Sequence, residues 1–487
     1  MLEKIKELTK DTAIYGVSTI IGRFLGFLLV PFYTNVFSTY DFGVYSNIYA
    51  YIAFFNIVYI YGMDVAFMKY SSIAEDKDKK VIFSTPYILV FVTSILFSAT
   101  IFLFRGSLNS LINVPGEYSY LLYYVILILL FDTLAMIPFA NLRLQRRAKK
   151  FALIKTLNIV INLVINLVLV LGYKYGIEAI FISNVIASAF SFIAVLPEII
   201  KYLELKIDFS LLKRVLKFGI PYLPASIAAT MVQVIDRPIL ARISGESALG
   251  IYQANYKLGI FMMLFVSMFQ YAWQPFFLNN AKEENAKQIF SKILTLYLVA
   301  ASMLVVFLSL FIDNIATLDV YHGKTLIGSE FLSGLSIVPV ILTAYLFHGM
   351  YVNFTAGLYI KEKTQYFPLI TAIGAGSNII ANLFLIPVWG ITGAAIATLI
   401  SYFLMALSIF IIVQRFYNIK YEYTKIFSIF LLIGITGILY YTAIGFGEIN
   451  IIEKLLILFG FSAGLLIFRV LRKKDLVTVS KLVLKKF

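Results

Sequence analysis

The chain reads as an all-α polytopic membrane protein with about fourteen spanning helices, each crossing needing roughly 20 apolar residues. Three observations carry that reading. Apolar residues make up 61% of the sequence and charged residues only 14%, against about 45–50% and about 25% in water-soluble domains. The apolar residues gather in runs of spanning length. The basic residues cluster in alternate connections between those runs.

The runs lie near 12–37, 42–68, 81–104, 118–140, 151–172 and 176–200, then 212–241, 248–272, 288–312, 331–356, 366–387 and 390–414. Two more, 424–444 and 450–469, complete the set. Pro31, Pro138, Pro221, Pro224 and Pro238 fall inside runs. Membrane bundles tolerate such breaks because neighbouring helices satisfy the freed backbone groups. Residues 1–10 are charged, and the first run is too long for the apolar stretch of a signal peptide, so no cleaved leader is expected.

A net charge of +15 would suit a nucleic-acid partner, but its distribution does not. Thirty-three of the 41 Lys and Arg fall in one alternate set of connections, among them Lys77, Arg143, Arg146, Arg147 and Arg214. Five fall in the opposite set, including Arg105, Lys324 and Lys454, and three inside runs. Basic loops stay in the cytoplasm. The split therefore predicts cytoplasmic termini in a bacterial inner membrane. No connection is long enough for a soluble domain, so the work is done in or across the bilayer. With no cysteine, disulfides and thiolate metal sites are excluded.

The sequence partly repeats. FGVY at 42–45 resembles LGIY at 249–252. Pro31 and Pro238 each lie twelve residues before the glycine of that motif. Asn162 and Asn166 match Asn378 and Asn382 at an offset of 216. The predicted organisation is two pseudo-symmetric six-helix bundles, 1–207 and 208–416, followed by two C-terminal helices and a tail over 417–487. Six spans is an even number, so both halves enter the membrane in the same direction. That is a transporter architecture with the substrate between the halves. Segment 208–217, with Ser210 as its N-cap, reads as an amphipathic helix lying at the interface.

The stretch KFGIPYLPASIAATMVQVIDRPILARISGESALGIYQANYKLG (217–259) resembles the start of the second half in Wzx-type polysaccharide and O-antigen flippases. These belong to the multidrug/oligosaccharidyl-lipid/polysaccharide exporter superfamily. YGVSTIIGRFLGFLLVPFYTNVFSTYDFGVYS (15–46) echoes it in the first half. The resemblance implies a V-shaped pair of bundles that moves a polyprenyl-pyrophosphate-linked oligosaccharide between leaflets by alternating access. It is not an enzyme's role, and it requires no cofactor. Other polysaccharide-assembly membrane proteins are the expected partners, and nucleic acid is not. The last two helices would resemble those forming a lipid-tail groove in lipid II flippases.

Charges within spans are costly and usually functional. Arg23 lies roughly 16 Å into the first run and Lys257 roughly 13 Å into the eighth, at 1.5 Å per residue. With Arg237 they form a candidate cationic site for a pyrophosphate, which Arg binds bidentately and Lys as a point charge. The structural reading of each is snorkelling or pairing. Asp236 is then a candidate partner of Lys257 or Arg23. Asn47, Gln233, Asn255 and Gln270 suit a sugar chain, or equally interhelical hydrogen bonds. Asp132 and His348 are 216 apart, equivalent places in the two halves. With Asp236 and Asp64 they are candidates for coupling transport to a H⁺ or Na⁺ gradient. A packed helix contact is the alternative.

Gly323-Lys324-Thr325 mimics a phosphate loop but lacks its first glycine, since position 318 is leucine. The histidines show no zinc-ligand spacing. A multidrug-extrusion antiporter shares the architecture, but cationic drugs favour an acidic site. A polysaccharide polymerase or ligase needs a large catalytic loop that this chain lacks. A lipid II flippase differs only in cargo.

Overall fold

The structure, a computed structural model, describes residues 24, 26–73, 78–445 and 449–470. The protein is an all-α polytopic membrane protein. Among the described residues, eleven helical segments are long and apolar enough to cross a membrane. One of them, Thr364–Phe416, is 53 residues long and holds two of the predicted runs. The described part of the first run is the shorter helix Gly26–Val36, and the last predicted run is a 17-residue helix, Ile451–Ile467.

The chain forms two compact units. The first comprises the chain through Lys257 with Ile327–Phe331 and Asn378–Ala394. The second comprises Leu258–Leu326, Leu332–Ser377 and Ala395 onwards. Helices α9–α12 below belong to the first unit, although the repeat begins its second half at 208.

In the first unit, α1 is Gly26–Val36. It is followed by α2 (Thr39–Ile60), α3 (Met63–Ser72), α4 (Lys79–Leu103) and α5 (Arg105–Leu111). Next come α6 (Leu121–Leu144), α7 (Ala148–Leu167) and α8 (Glu178–Tyr202). The unit continues with α9 (Phe209–Gly219), α10 (Tyr222–Val234), α11 (Asp236–Ser244) and α12 (Glu246–Tyr256). Ser38 caps α2 by accepting the Asp41 N–H at 3.1 Å. Tyr61 and Gly62 both have positive φ, 33° and 76°, which ends α2 and turns the chain into α3. The predicted run 42–68 is therefore two helices. Asp208, rather than Ser210, caps the amphipathic α9, accepting the Leu211 N–H at 3.0 Å. The predicted run 212–241 is broken between α10 and α11.

The core of this unit is a close crossing of α2 and α12. A Cβ built on Gly43 would overlap the carbonyl oxygen of Glu246, and one on Gly250 the carbonyl oxygen of Thr39. The two contacts are reciprocal: each glycine meets the residue four before the other. These are the glycines of the FGVY and LGIY repeat. Membrane helices lack a hydrophobic drive toward one another, and small residues that let backbones approach supply dispersion contact instead. Ile327–Phe331 packs onto the same place. Gly328 N–H donates to Thr34 Oγ1 at 3.0 Å, and the Asn255 amide donates to the Phe331 carbonyl at 2.8 Å.

In the second unit, α13 (Ile260–Asn280), α14 (Ala286–Ala316) and α15 (Val338–Ile360) precede α16 (Phe367–Phe416), α17 (Tyr423–Gly445) and α18 (Ile451–Ile467). A two-stranded hairpin, β1 (Asp319–Tyr321) with β2 (Lys324–Thr325), takes up the phosphate-loop mimic. Gly390 bends α16 with φ 52° and ψ −127°, a conformation open to glycine alone. Asn378–Ala394 of this helix packs in the first unit. There Asn378 donates to the Val232 carbonyl at 3.3 Å, and Asn382 donates to the Asn378 carbonyl at 2.9 Å. Lys454, counted in the sequence among loop charges, is buried. Its ammonium donates to Asp313 and Asn314, fastening α18 to α14.

The crossing generates an ordered prediction. Gly43→Ala or Gly250→Ala forces a side chain into backbone, an overpacking that costs about 1–3 kcal/mol. Thermal unfolding of the purified protein in detergent should show a lower midpoint for each. Gly434→Ala, with open space around it, should leave the midpoint where it is. Equal midpoints for all three would remove the crossing from its central place.

Candidate functional site

The candidate site is built on α2, α11 and α12, all in the first unit. The Lys257 ammonium sits over the rings of Phe42 and Tyr45, at 5.2 and 5.5 Å from their centroids. Phe42 and Tyr45 flank Gly43, so the α2–α12 crossing itself brings these rings to the end of α12. The Arg237 guanidinium lies within electrostatic range of both Lys257 and the Tyr45 hydroxyl. Its Nε is buried and has no hydrogen-bond partner. Among the described residues no carboxylate lies within 4 Å of either cation.

Asp236 does not supply that carboxylate. It is buried, accepts a hydrogen bond from the Tyr252 hydroxyl at 2.5 Å, and accepts the Arg237 backbone N–H at 3.1 Å. Tyr252 belongs to the LGIY motif, as Tyr45 belongs to FGVY. Adjacent residues on a helix point apart, so Asp236 turns to Tyr252 while Arg237 turns toward Tyr45.

Aromatic and amide groups extend the site. The Tyr45 and Tyr49 rings lie 4.7 Å apart, and Tyr49 meets Phe181 at 5.3 Å. Asn184 donates to the Tyr49 hydroxyl at 2.7 Å. Asp132 comes next, facing Ser188 and Lys155. Lys155, counted as a loop charge in the sequence, is inside α7, with its ammonium 4.4 Å from the Phe139 ring centroid. A polar path thus runs from Arg237 and Lys257 through Tyr45, Tyr49 and Asn184 to Asp132.

Other residues singled out in the sequence lie elsewhere or do other work. Arg23 lies outside the described residues. Asn47 is buried, and its amide donates to Glu246 at 3.0 Å and to the Ile112 carbonyl at 3.2 Å. The donors of Asn255 are spent on Ile251 and Phe331. Gln233 on α10 is exposed, and Asp64 sits in the first turn of α3. Gln270, exposed on α13, and His348, among the rings of Tyr345, Tyr351 and Tyr402, belong to the second unit. Sequence reasoning missed Tyr45, Tyr49 and Asn184 as site walls. The repeated motif carried a signal for Tyr45. Glu246 was also missed, a buried carboxylate with one oxygen unpartnered.

A pair of cations in apolar and aromatic surroundings, with no carboxylate within 4 Å among the described residues, has the chemistry to hold an anion. Taking charge from water costs several kcal/mol per ion, and a bound anion offsets that cost. Arg presents a planar fork and Lys a point charge, a set that suits phosphate oxygens.

Residues 8–281 match a family model described as "Polysaccharide biosynthesis protein". No curated protein matches the chain. Among solved structures, the lipid II flippase MurJ in its inward closed conformation is similar, with a TM-score of 0.72 and 18% identity. That alignment covers 96% of this chain and 100% of that one. An inward-facing multidrug resistance MATE family transporter of the MOP superfamily aligns with a TM-score of 0.59 and 12% identity, covering 81% of this chain and 97% of that one. An outward-facing MATE family transporter aligns with a TM-score of 0.55 and 14% identity, covering 84% and 95%. At these identities the likeness is one of fold.

The receptor chemistry makes a direct prediction. Purified protein should bind inorganic pyrophosphate in a salt-sensitive way, and Arg237→Gln or Lys257→Gln should each weaken binding about tenfold, the loss of one charge-assisted contact. Calorimetry checks it. Unchanged affinity in both variants would place the anion elsewhere.

Proposed function

The chain belongs to the polysaccharide biosynthesis protein family, and from that premise we propose that it is a flippase for a polyprenyl-pyrophosphate-linked oligosaccharide. It carries an O-antigen, capsule or similar repeat unit from the inner to the outer leaflet of a bacterial cytoplasmic membrane by alternating access, with both termini cytoplasmic. It is a transporter and performs no catalysis.

The observation that carries this reading is the unpaired cation pair Arg237 and Lys257 beside Tyr45. A pyrophosphate leaving the headgroup region needs compensating charge inside the membrane. Sugar rings need aromatic faces and amides, and Tyr45, Tyr49 and Asn184 supply both. Arg23, by its sequence position, is assigned to the same cationic set. The polyprenyl tail needs an apolar path. The second unit holds a recess of about 150 Å³ lined by Leu294, Phe347, Phe354, Phe403, Phe410 and Ile426. It involves α14–α17, including the first of the two extra helices, as the resemblance to a lipid-tail groove implies.

Cargo separates the alternatives. A multidrug antiporter moves cations, which this basic set repels. A lipid II flippase carries the same pyrophosphate, so the local chemistry fits it as well, and the MurJ likeness supports that second reading at the level of fold. Coupling to a H⁺ or Na⁺ gradient is assigned to Asp132 and Asp236, the acidic groups beside the site, and to Asp64 and His348.

Two experiments test this. Proteoliposomes loaded with a polyprenyl-pyrophosphate-linked trisaccharide should show flipping that falls at least about tenfold in Arg237→Ala and Lys257→Ala, whose charge-assisted contacts to phosphate are removed. Normal rates in both would reject the cationic site. Collapsing the proton and sodium gradients together should slow the wild type, and an insensitive rate would reject coupling.

A further inference from the structure

Apart from the cationic site, the first unit contains a polar recess at the end of the helices remote from the basic loops. Its volume is about 560 Å³, and Arg105, Asn109, Ser119, Tyr120 and Tyr123 line it. That size falls within the roughly 300–1,000 Å³ of small-molecule sites. Three observations define what it takes. The Arg105 guanidinium is held over the Phe102 and Tyr123 rings, at 5.2 and 5.9 Å, and donates to the Phe102 carbonyl at 3.1 Å. Its remaining N–H groups are left as fixed donors. Asn109 and Ser119 add polar side chains to the lining. Tyr120 and Tyr123 are 38% and 42% exposed, which leaves ring surface for stacking.

A phosphate can use the Arg105 donors but has nothing to match the tyrosine faces. It would also meet local negative charge. Glu117 is two residues from Ser119, and Glu178, which accepts from the Tyr124 hydroxyl at 2.5 Å, acts on Tyr120. A hydroxyl-rich, uncharged ligand meets every feature at once. Its hydroxyls accept from Arg105 beside the polar side chains of Asn109 and Ser119, and its C–H faces lie on the tyrosine rings. We propose that this recess is a second saccharide-binding site, which holds the uncharged sugars of the cargo after they have crossed. The inference rests on the flippase reading. It assigns the recess to the glycan and the Arg237–Lys257 site to the pyrophosphate.

The test uses the full-length protein in detergent on an array of soluble oligosaccharides, with glycerol 3-phosphate as the competing anion. The wild type should bind a subset of uncharged glycans. Tyr120→Ala and Asn109→Leu should each lower that signal about tenfold, as expected from loss of a stacking face or of a polar lining group. Glycerol 3-phosphate should not compete. Matching gel-filtration profiles and melting temperatures show that the variants are folded. No glycan binding, binding unaltered in both folded variants, or displacement by glycerol 3-phosphate would overturn the proposal. Flipping by the wild type separates the two levels. If the wild type flips its lipid-linked trisaccharide but the array result is negative, the recess assignment alone fails. If the wild type does not flip, the transport reading fails with it.

Discussion

The crossing of α2 and α12 at Gly43 and Gly250 is the constraint on which the first unit depends. Each glycine faces the carbonyl of the residue four before the other, so the two backbones approach as closely as helices can. The residues flanking the glycines have their positions set by it. Phe42 and Tyr45 meet Lys257, and Tyr252 meets Asp236. Segment Ile327–Phe331 closes over the same place, with the Phe331 ring edge-on to Phe42 at 5.7 Å. Packing and site are thus one construction: a repeated Gly-x-Tyr brings the backbones together and presents an aromatic hydroxyl on each side.

The electrostatics follow from that placement. Asp236 and Arg237 are neighbours in sequence, yet the helix turns them to different partners. The carboxylate is hydrogen-bonded by Tyr252 and a backbone N–H, and it interacts with the neighbouring guanidinium only at a distance, without an ion-pair contact. Two other buried charges are paired. Glu198 receives Arg147 and Lys150 at 2.5 and 2.9 Å, and Lys454 receives Asp313. Arg237 and Lys257 have no carboxylate within 4 Å among the described residues.

Much of the fold was legible in the sequence. Hydropathy alone marks helices such as α6, α8 and α14, because a spanning helix is an average over about 20 residues. The repeat was legible as a pattern, but its meaning as a reciprocal contact was not, since two similar motifs do not say that they touch. The bend at Gly390 falls where the run 390–414 was expected to begin, but chain breaks at Tyr61–Gly62 and between α10 and α11 were not legible. They are φ/ψ events inside apolar runs, and hydropathy carries no dihedral information. The side-chain roles were the least legible. Lys454 and Lys155 sit near run ends and were read as loop charges, though one is paired inside the protein and the other lies within α7. Asn47 and Asn255 were read as suiting a sugar chain or, equally, interhelical hydrogen bonds, and the structure spends their donors on Glu246, Ile112, Ile251 and Phe331. Which way a residue faces around a helix decides such roles, and composition does not record it.

The central claim is that Arg237 and Lys257 receive the phosphates of the cargo. Cryo-electron microscopy of the protein in lipid nanodiscs with a polyprenyl-pyrophosphate-linked trisaccharide tests it most directly. The account predicts pyrophosphate density within about 3 Å of both side chains, the range of a charge-assisted hydrogen bond, with the first sugar against Tyr45 or Tyr49. A well-ordered headgroup bound elsewhere, with both cations untouched, would contradict it.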